Sequence, residues 1–320
     1  MNVKNQKITA DLALYNGDCC EVLTQLKNES VDMYLFSPPF SSLYSYSDDD
    51  ADLGNAKSYE EFFAHFEFVV KEIERTLVPG RIAAVHCMDL PEAKQDHGYI
   101  GLREFPDDII KLFRKNNMIF ASRHCIWKDP LIAATRTHAL GLAHKQIVKD
   151  SSMCRMGLPD YIVAFRKKGD NPKPIKHPMG LTEYAGERQI PRHLQRFVGH
   201  EDQKTNSRSH WIWQKYASPI WDDIRQTRVL PYKKAREEDD QRHLCPLQTD
   251  TIERCLTLWS NPGDTICSPF AGVGSELFVA LEMGRKAIGI ELKSSYYKQA
   301  LRNLESLKTK QKSKSEFQVL

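Results

Sequence analysis

Residues 265–291 read TICSPFAGVGSELFVALEMGRKAIGIE, and this stretch decides the fold class. The apolar run Thr265–Ser268 predicts a strand, a tight glycine turn follows over residues 269–274, and residues 276–283 carry the apolar pattern of a helix. A second apolar run, Lys286–Ile290, then ends at Glu291. A strand, a turn, a helix and a strand in this order are typical of one unit of a parallel α/β sheet.

The glycine turn has the features of a ligand site. Gly272 and Gly274 let the backbone come close to a ligand, and the following helix offers free N–H groups at its start. Glu291 lies 17 residues beyond Gly274, where its carboxylate can accept both hydroxyls of a ribose. Position 277 is Leu, so the third glycine of a dinucleotide fingerprint is missing. The motif therefore predicts a cofactor with a single nucleoside rather than a pyrophosphate.

The N-terminal half repeats the alternation of strands and helices. Ser58 and Glu61 form a capping box before a helix that we expect to run to Pro79-Gly80. Strands are predicted at residues 12–15, 31–36, 81–86, 118–127 and 161–165, and further helices at residues 21–26, 106–113 and 294–307. This alternation predicts a parallel-dominated sheet that helices cover on both faces.

The segment Ser37-Pro38-Pro39-Phe40 follows the predicted strand 31–36, and open α/β sheets bind ligands at such carboxyl ends. Two prolines keep the backbone rigid and remove its N–H groups, so the carbonyls act only as acceptors, which suits an amino group. Phe40 adds a flat face on which a planar ring can stack. A strand terminator followed by a core phenylalanine would fit a lone Pro-Pro equally well.

The charge of the chain is unevenly distributed. The 320 residues carry 45 basic and 42 acidic side chains, a formal net charge of +3. The segment from Arg166 to Arg236 has a balance of +9 and holds three of the five tryptophans, whereas the remainder has −6. A basic, aromatic insert in an acidic body is typical of a reader of polyanions, although a solvated surface domain with its own tryptophan core fits the composition as well.

Composition also excludes some classes of protein and of site. No run approaches the roughly 18 apolar residues that a spanning helix needs, and the eight cysteines form no C-x-x-C pair, so we expect reduced thiols in a cytoplasm. The pairs His86/Cys87 and His124/Cys125 lack a second cluster at zinc spacing, and no metal site is predicted. Lys128 lies in a polar stretch for which contact with phosphate and exposure to solvent are alternatives, and we expect most of this stretch to face solvent.

The sequence resembles the amino-group DNA methyltransferases, which modify N4 of cytosine or N6 of adenine. In that family a D/N/S-P-P-Y/F loop holds the target amine, and a D-P-F-x-G-x-G loop followed by an acidic strand end holds S-adenosylmethionine. The matching segments are Ser37–Phe40, Ser268–Gly274 and Gly289–Glu291, with further matches at Asn16–Asp18 and Cys245–Gln248. Their order looks like the permuted β group of these enzymes. Ser268 departs from the aspartate that is common in the family, which affects the hydrogen bonding expected around the cofactor loop.

The resemblance implies a circularly permuted, Rossmann-like sheet of seven mostly parallel strands, with helices on both faces and an inserted target-recognition region. Residues 1–166 would form the catalytic half with the amine loop, residues 167–235 the basic insert, and residues 236–307 the cofactor half of the same domain. Residues 308–320 are a lysine-rich tail that we expect to be frayed. The basic insert is predicted to line one side of the cleft that exposes Ser37–Phe40.

The activity that the resemblance implies is methyl transfer from S-adenosylmethionine to an exocyclic amine of a flipped DNA base. Hydrogen bonds from the amine to the Ser37 hydroxyl and the Pro38 carbonyl would raise the electron density on nitrogen, and Phe40 would stack on the base. Glu291 would bind the ribose and Asp18 the adenine amino group. The resemblance assigns catalysis to Ser37, Pro38, Pro39 and Phe40, and cofactor binding to Asp18, Pro246, Ser268, Phe270, Ala271, Gly272, Gly274 and Glu291. DNA binding is predicted for Arg188, Arg192, Arg196, Lys204, Arg208 and Lys215.

The target of the methyl group has several alternatives. Ser at the first position of the amine loop accompanies N4-cytosine methylation in this family, so cytosine is favoured and N6 of adenine is the alternative. A glutamine or an RNA substrate and a catalytically idle DNA-binding module are further alternatives, and the basic insert favours nucleic acid over protein. The predicted partner is double-stranded DNA in the cytoplasm of a bacterium or phage host, with no membrane. A homodimer and a cognate restriction endonuclease are compatible with the resemblance.

Overall fold

A nine-stranded mixed sheet with helices on both faces forms the centre of the protein in the computed structural model. The structure describes residues 3–40, 56, 58–92, 98–132, 144–153, 157–196, 199–235 and 246–317. The strands are β1 (Val3–Ile8), β2 (Leu12–Gly17), β3 (Val31–Phe36), β4 (Leu77–Cys87), β5 (Leu90–Glu92), β6 (Gly101–Arg103), β7 (Met118–Ile126), β8 (Asp160–Lys167), β9 (Ile220–Trp221), β10 (Thr265–Ser268) and β11 (Lys286–Glu291). The helices are α1 (Cys19–Leu23), α2 (Tyr59–Thr76), α3 (Phe105–Lys115), α4 (Lys145–Lys149), α5 (Ser207–Tyr216), α6 (Thr249–Trp259), α7 (Ser275–Glu282) and α8 (Ser294–Phe317).

The order of strands across the sheet is β1-β2-β11-β10-β3-β4-β8-β7-β9. The five strands from β2 to β4 in this order are mutually parallel, and β8 lies antiparallel between β4 and β7. The predicted mostly parallel α/β sheet is therefore confirmed. The sheet has nine strands instead of the expected seven, because β1 pairs antiparallel with β2 at one edge and the short β9 pairs with β7 at the other.

Strand β3 shows how the two layers of helices are held. All six of its residues are buried, as expected for a strand with helices on both faces. Met33 and Leu35 belong to the core formed with α6, α7 and α8, whereas Tyr34 and Phe36 belong to the core formed with α1, α2 and α3. The alternation of side chains along one apolar strand thus supplies both cores.

Helix α2 begins as predicted but ends earlier. Ser58 caps its start, since the Ser58 hydroxyl accepts a hydrogen bond from the backbone N–H of Glu61 at 3.1 Å. The helix ends at Thr76, and β4 then runs through Pro79 and Gly80, the pair to which the helix was expected to run. Strand β4 tolerates the proline because the register between β3 and β4 shifts at this point, which relieves Pro79 of a ladder hydrogen bond.

The C-terminal helix also differs from expectation. The backbone of α8 continues as a helix to Phe317, so the lysine-rich tail is helical from residue 308 to residue 317 rather than frayed. Residues 41–55 and Cys245, the first residue of the matching segment Cys245–Gln248, lie outside the described residues. Within the described ranges, no helix combines the length and the apolar character needed to cross a bilayer.

Candidate active site

The two predicted loops lie side by side at the carboxyl edge of the sheet. Strands β3 and β10 are parallel neighbours, and the segments Ser37–Phe40 and Ser268–Gly274 stand at their carboxyl ends. The rings of Phe36 and Phe270 are in contact, with centroids 5.8 Å apart. This arrangement brings the predicted amine loop and the predicted cofactor loop into one site, at the edge where open α/β sheets bind ligands.

The glycine turn has a backbone that only glycine adopts readily. Gly272 has φ +53° and Gly274 has φ +84°. A Cβ added to Gly274 would lie 3.1 Å from the Cβ of Ala300, so this glycine also allows the turn to pack on α8. A Cβ added to Gly272 would meet no atom within 4 Å, which leaves open space above the turn. The Ala271 N–H donates to the Ile290 carbonyl at 2.8 Å and ties the turn to β11.

Glu291, the predicted ribose ligand, organises the loop around it. Its Oε2 accepts a hydrogen bond from the Gly272 N–H at 2.7 Å, and its Oε1 accepts one from the Lys293 N–H at 2.9 Å. A carboxylate oxygen can accept more than one hydrogen bond, so these bonds are compatible with ribose hydroxyls as additional donors. Buried Asn16 donates from Nδ2 to the carbonyls of Glu291 and Leu292, which explains its place in the motif.

Asp18 and Pro246 stand at the starts of two helices. The Asp18 Oδ1 accepts a hydrogen bond from the Cys20 N–H at 2.9 Å, which caps α1 at the end of β2, the sheet neighbour of β11. Ligand atoms of Asp18, Cys19 and Cys20 lie within 4.8 Å of one another, and the Asp18 carboxylate is already engaged as the cap. Pro246 is half-buried shortly before α6.

Two buried hydroxyls flank the glycine turn. Ser268 is fully buried and Ser275 is 2% exposed, and neither hydroxyl has a hydrogen-bond partner among the described residues. Unpartnered buried hydroxyls are costly, so these groups fit a site that a polar ligand completes. Together with the space above Gly272, they show that the residues present can accommodate a nucleoside cofactor.

The acid Glu276 is buried in the first turn of α7. Burial, and to a smaller extent the negative charge of Glu291, raise the pKa of Glu276 to about 8. Glu276 therefore carries its proton at neutral pH, and Glu291 is not joined by a second full negative charge.

The amine loop is fixed by aromatic packing and by a histidine. Pro38 is buried, and Pro39 is half-buried. The Phe40 ring meets the His86 ring edge-on at 6.4 Å and the Phe105 ring at 6.2 Å. The Ser37 Oγ lies 2.7 Å from the Nδ1 of His86, which is the last residue but one of β4.

Three residues behind Ser37 were not assigned to this site from the sequence. The Nε2 of His86 lies 3.1 Å from Oδ2 of buried Asp160, and the Nζ of Lys128 lies 2.6 Å from Oδ1 of the same carboxylate. Although burial alone would raise the pKa of Asp160, Lys128 and His86 outweigh it and lower that pKa to about 2. Lys128 therefore pairs with a buried acid instead of simply facing solvent. His86 and Asp160 stand at the ends of adjacent antiparallel strands, and this pairing has no local sequence signal.

The six basic residues predicted to bind DNA fall into two groups. Arg192, Arg196 and Lys204 are exposed. The others interact with the insert itself: Arg188 pairs with Asp222, the Arg208 guanidinium donates to the carbonyls of Thr182 and Gln195, and the Lys215 ammonium lies 5.8 Å from the centre of the Trp211 ring. Arg208 is thus held by backbone groups and contributes to the structure of the insert.

The basic insert extends from the side of the sheet where the parallel strands begin to the side where they end. Near its start, the Nζ of Lys173 lies 3.4 Å from Oδ1 of Asp32, beside the amino end of β3. Near its end, Trp221 pairs with Ile126 at the carboxyl end of β7. Since β3 spans roughly 20 Å, the start of the insert lies far from Ser37. The segment as a whole therefore does not line the cleft; its later part reaches the carboxyl edge.

Buried contacts attach the insert to the body of the protein. Fully buried Arg254 of α6 donates to Asp223 at 2.6 Å, and its guanidinium lies 5.4 Å from the centre of the Trp221 ring. Trp221 itself belongs to the core under α6 and α7. Trp221 is therefore part of the core of the body, whereas Trp211 packs on a small separate cluster around Ile212 and Tyr216 that also includes Leu258 of α6.

A family model described as DNA methylase, N6_N4_Mtase, matches residues 31–302. The type II methyltransferase M.BamHI of Bacillus amyloliquefaciens is 25% identical over 282 residues, which cover 87% of this chain and 54% of that protein. The chain thus spans about half the length of this relative.

Two solved structures share the fold. TTHA0409 of Thermus thermophilus, complexed with S-adenosyl-L-methionine, superposes with a TM-score of 0.60 and 23% identity over 92% of this chain and 93% of that one. The PvuII cytosine-N4-specific DNA methyltransferase superposes with a TM-score of 0.61 and 15% identity over 94% of this chain and 90% of that one.

Proposed function

This chain belongs to the N6_N4_Mtase family of DNA methylases, and from that premise we propose that it methylates double-stranded DNA. The methyl group would pass from S-adenosylmethionine to the exocyclic amine of a flipped base, with N4 of cytosine as the favoured target. The observation that carries the proposal is the contact between Phe36, which directly precedes the amine loop, and Phe270 of the cofactor loop, whose ring centroids are 5.8 Å apart.

S-adenosylmethionine supplies an electrophilic methyl group on a positively charged sulfur. Glu291 would accept the ribose hydroxyls, and its bonds to the Gly272 and Lys293 amides already hold the carboxylate in place. Asp18 would accept the adenine amino group. The backbone of residues 270–274 would hold the methionine part beside the open space above Gly272. The S-adenosylmethionine complex of TTHA0409, which shares the fold, supports this choice of cofactor.

The amine loop would position the nucleophile. The Ser37 hydroxyl and the Pro38 carbonyl would accept hydrogen bonds from the two amine protons, which favours the pyramidal, more nucleophilic form of nitrogen. Phe40, which His86 and Phe105 hold edge-on, would stack on the base and align it for transfer. A flipped base is required because the amine is otherwise paired within the duplex.

The preference for cytosine rests on Ser37, since Ser at this position of the amine loop usually accompanies N4-cytosine methylation in the amino-group DNA methyltransferases. N6-adenine methylation by the same residues is the alternative within the enzyme class. The exposed cations Arg192, Arg196 and Lys204 favour a polyanion over a protein glutamine, because such side chains neutralise phosphates. A type II relative such as M.BamHI supports a restriction endonuclease as functional counterpart, and we place the reaction in the bacterial cytoplasm.

The proposal is tested with unmethylated genomic DNA, methyl-labelled S-adenosylmethionine and nucleoside mass analysis of the digested product. N4-methylcytosine is the expected product, and N6-methyladenine would replace cytosine by adenine as the target. Phe40→Ala serves as the control for a contaminating methylase, because it removes the stacking ring and should give no product. Label in RNA or in protein but not in DNA would contradict the proposal, and so would the absence of any transfer.

A further inference from the structure

We propose that His86 is the proton acceptor of this reaction, that it acts through the Ser37 hydroxyl, and that Asp160 and Lys128 are its positioning residues. The inference rests on the proposed function, because Ser37 is the residue that would contact the target amine. It assigns a role to His86, Asp160 and Lys128, which take no direct part in the binding of cofactor or base.

The cluster is assembled from four different parts of the sheet. Ser37 follows β3, His86 lies at the end of β4, Asp160 begins β8 and Lys128 follows β7. Their polar atoms form a continuous line, with separations of 2.7 Å from Ser37 to His86, 3.1 Å from His86 to Asp160 and 2.6 Å from Asp160 to Lys128. His86 is 8% exposed and Asp160 is 2% exposed, so little water competes with these contacts.

The position of Asp160 decides which nitrogen of His86 carries the proton. Lys128 and His86 keep the pKa of Asp160 low despite its burial, so this group is a carboxylate that can only accept. A carboxylate beside Nε2 favours the proton on Nε2 and leaves Nδ1 as an acceptor. Neither contact of Asp160 has the angle of a regular hydrogen bond, and groups of this kind commonly align only when substrate is bound.

This tautomer determines what Ser37 can do. With Nδ1 as acceptor, the Ser37 hydroxyl donates to His86, and the oxygen lone pairs of Ser37 remain to accept a hydrogen bond from the amine. If Nδ1 carried the proton, His86 would donate to Ser37 and could not receive a proton through it. The ion pair behind the imidazole therefore selects the arrangement that suits an amine substrate.

As the amine nitrogen forms its bond to the methyl carbon, the carbon–sulfur bond breaks and its electron pair stays on sulfur. One N–H proton passes to the Ser37 oxygen while the Ser37 proton passes to His86 Nδ1. The products are a neutral methylated amine, S-adenosylhomocysteine and an imidazolium that Asp160 stabilises, and the imidazolium then releases its proton to water. This arrangement has the logic of a Ser-His-Asp triad, with serine relaying a proton instead of attacking.

The test measures single-turnover methyl transfer to DNA between pH 5.5 and 9, with enzyme and S-adenosylmethionine in excess. In the wild type, a plot of log rate against pH should fall towards acid pH with a slope of one, because a protonated His86 cannot accept a proton. This falling part of the profile is its acid limb. Among the described residues, the charged groups that face His86 are Asp160 and, behind it, Lys128. His86→Gln should lower the rate by about 100-fold or more and lose the acid limb. Ser37→Ala should cause a similar loss, and the double variant should lose little more.

Two further variants separate the relay from a structural role. Asp160→Asn keeps the shape but removes the charge that selects the tautomer, so it should lower the rate and displace the acid limb. His124→Gln is the matched control: His124 lies on β7, packs on Trp221 and contacts the Ser218 carbonyl at 3.1 Å, and its replacement should leave the rate and its pH profile unchanged. Melting temperature and cofactor affinity verify that each variant is folded.

The outcomes are distinct. If the wild type methylates DNA but His86→Gln keeps the acid limb, or keeps its rate within about threefold, the relay is wrong and the proposed function stands. Should His86→Gln fail to fold, the profiles of Ser37→Ala and Asp160→Asn decide, and unchanged acid limbs in both would overturn the relay. A wild type that transfers no methyl group to DNA contradicts the proposed function and the relay together.

Discussion

Glu291 and Gly272 are joined by a hydrogen bond, from the backbone N–H of Gly272 to Oε2 of Glu291 at 2.7 Å. One carboxylate thereby ties the end of β11 to the glycine turn after β10, and it is held in position before any ribose is present. The Lys293 N–H, which donates to Oε1 at 2.9 Å, fixes the second oxygen.

Glu291→Gln should weaken the binding of S-adenosylmethionine by about 10- to 100-fold, because hydrogen bonds to a charged group are worth about 1.5–3 kcal/mol each. Isothermal titration calorimetry measures the change. Glu282→Gln, at an exposed position of α7, is the control and should bind like the wild type. Equal affinities for Glu291→Gln and the wild type would exclude Glu291 as a ribose ligand.

Pro38→Ala and Phe40→Ala should abolish methyl transfer while cofactor affinity stays within about threefold of the wild type. The amine loop contributes positioning of the base, and the cofactor loop is built from other residues. Transfer assays and calorimetry on the same preparations give both values, and Phe68→Ala, at an exposed position of α2, is the control. A parallel loss of both activities would indicate misfolding instead.

Gly289→Ala should destabilise the protein by about 1–3 kcal/mol, as overpacking of a core does. A Cβ at this position would approach the Cδ1 of Leu277 to 2.3 Å, which fixes how closely α7 packs on β11. Chemical denaturation measures the free energy of unfolding. The double variant with Leu277→Ala should cost less than the sum of the two single variants, and strict additivity would show that this contact is not the cause.

The buried acid Glu276 predicts a specific dependence of stability on pH. Its pKa in the folded protein is raised from 4.5 to about 8, mainly by burial, so the folded state binds this proton more tightly than the unfolded state does. Its contribution to stability is full below pH 4.5 and is lost as the pH rises towards 8, by at most about 1.4 kcal/mol per pH unit. Relative to the wild type, Glu276→Gln should gain stability steadily between pH 5 and pH 8 in denaturation experiments. A constant difference over this range would show that Glu276 ionises normally.

Exposed cations of the insert should contribute to DNA affinity through phosphate contacts. Arg192→Ala, Arg196→Ala and Lys204→Ala should each weaken duplex binding and reduce the slope of log affinity against log salt by about 1. Lys173→Ala, whose ammonium lies 3.4 Å from Oδ1 of Asp32, is the control and should leave the slope unchanged. Titrations at several salt concentrations measure the slope, and a loss confined to Lys173→Ala would contradict the assignment of Arg192, Arg196 and Lys204.

Local patterns predicted the parts of the fold whose residues are adjacent in sequence. The strand 265–268 and the cap at Ser58 follow directly from apolar runs and from hydrogen-bonding side chains, and the structure confirms both. Pro79-Gly80 misled the prediction of the end of α2, because a local breaker signal does not show that a shift of register absorbs the proline. The polar strand β1 carries no apolar alternation, since five of its six residues are exposed at the edge of the sheet.

The candidate site likewise contains residues that local sequence patterns identify and residues that only the fold brings together. Ser37, Gly272 and Glu291 belong to motifs with fixed spacing and could be named in advance. His86 and Asp160 could not, because they are 74 positions apart and meet only where β4 and β8 pair. Arg208 was grouped with the DNA-binding residues by charge alone, and its bonds to the carbonyls of Thr182 and Gln195 depend on the folded path of the insert.

The burial of Trp221 and Arg254 has a consequence for how such a chain can acquire new sequence specificity. Exchange of the whole basic segment between relatives would carry away Trp221 and Asp223 and leave the guanidinium of Arg254 without its partner inside the core. Exchange limited to the surface around Arg192, Arg196 and Lys204 would leave that attachment intact. Variation in DNA recognition among relatives should therefore accumulate around Arg192, Arg196 and Lys204. The part of the segment around Trp221 and Asp223 should change only together with the catalytic body.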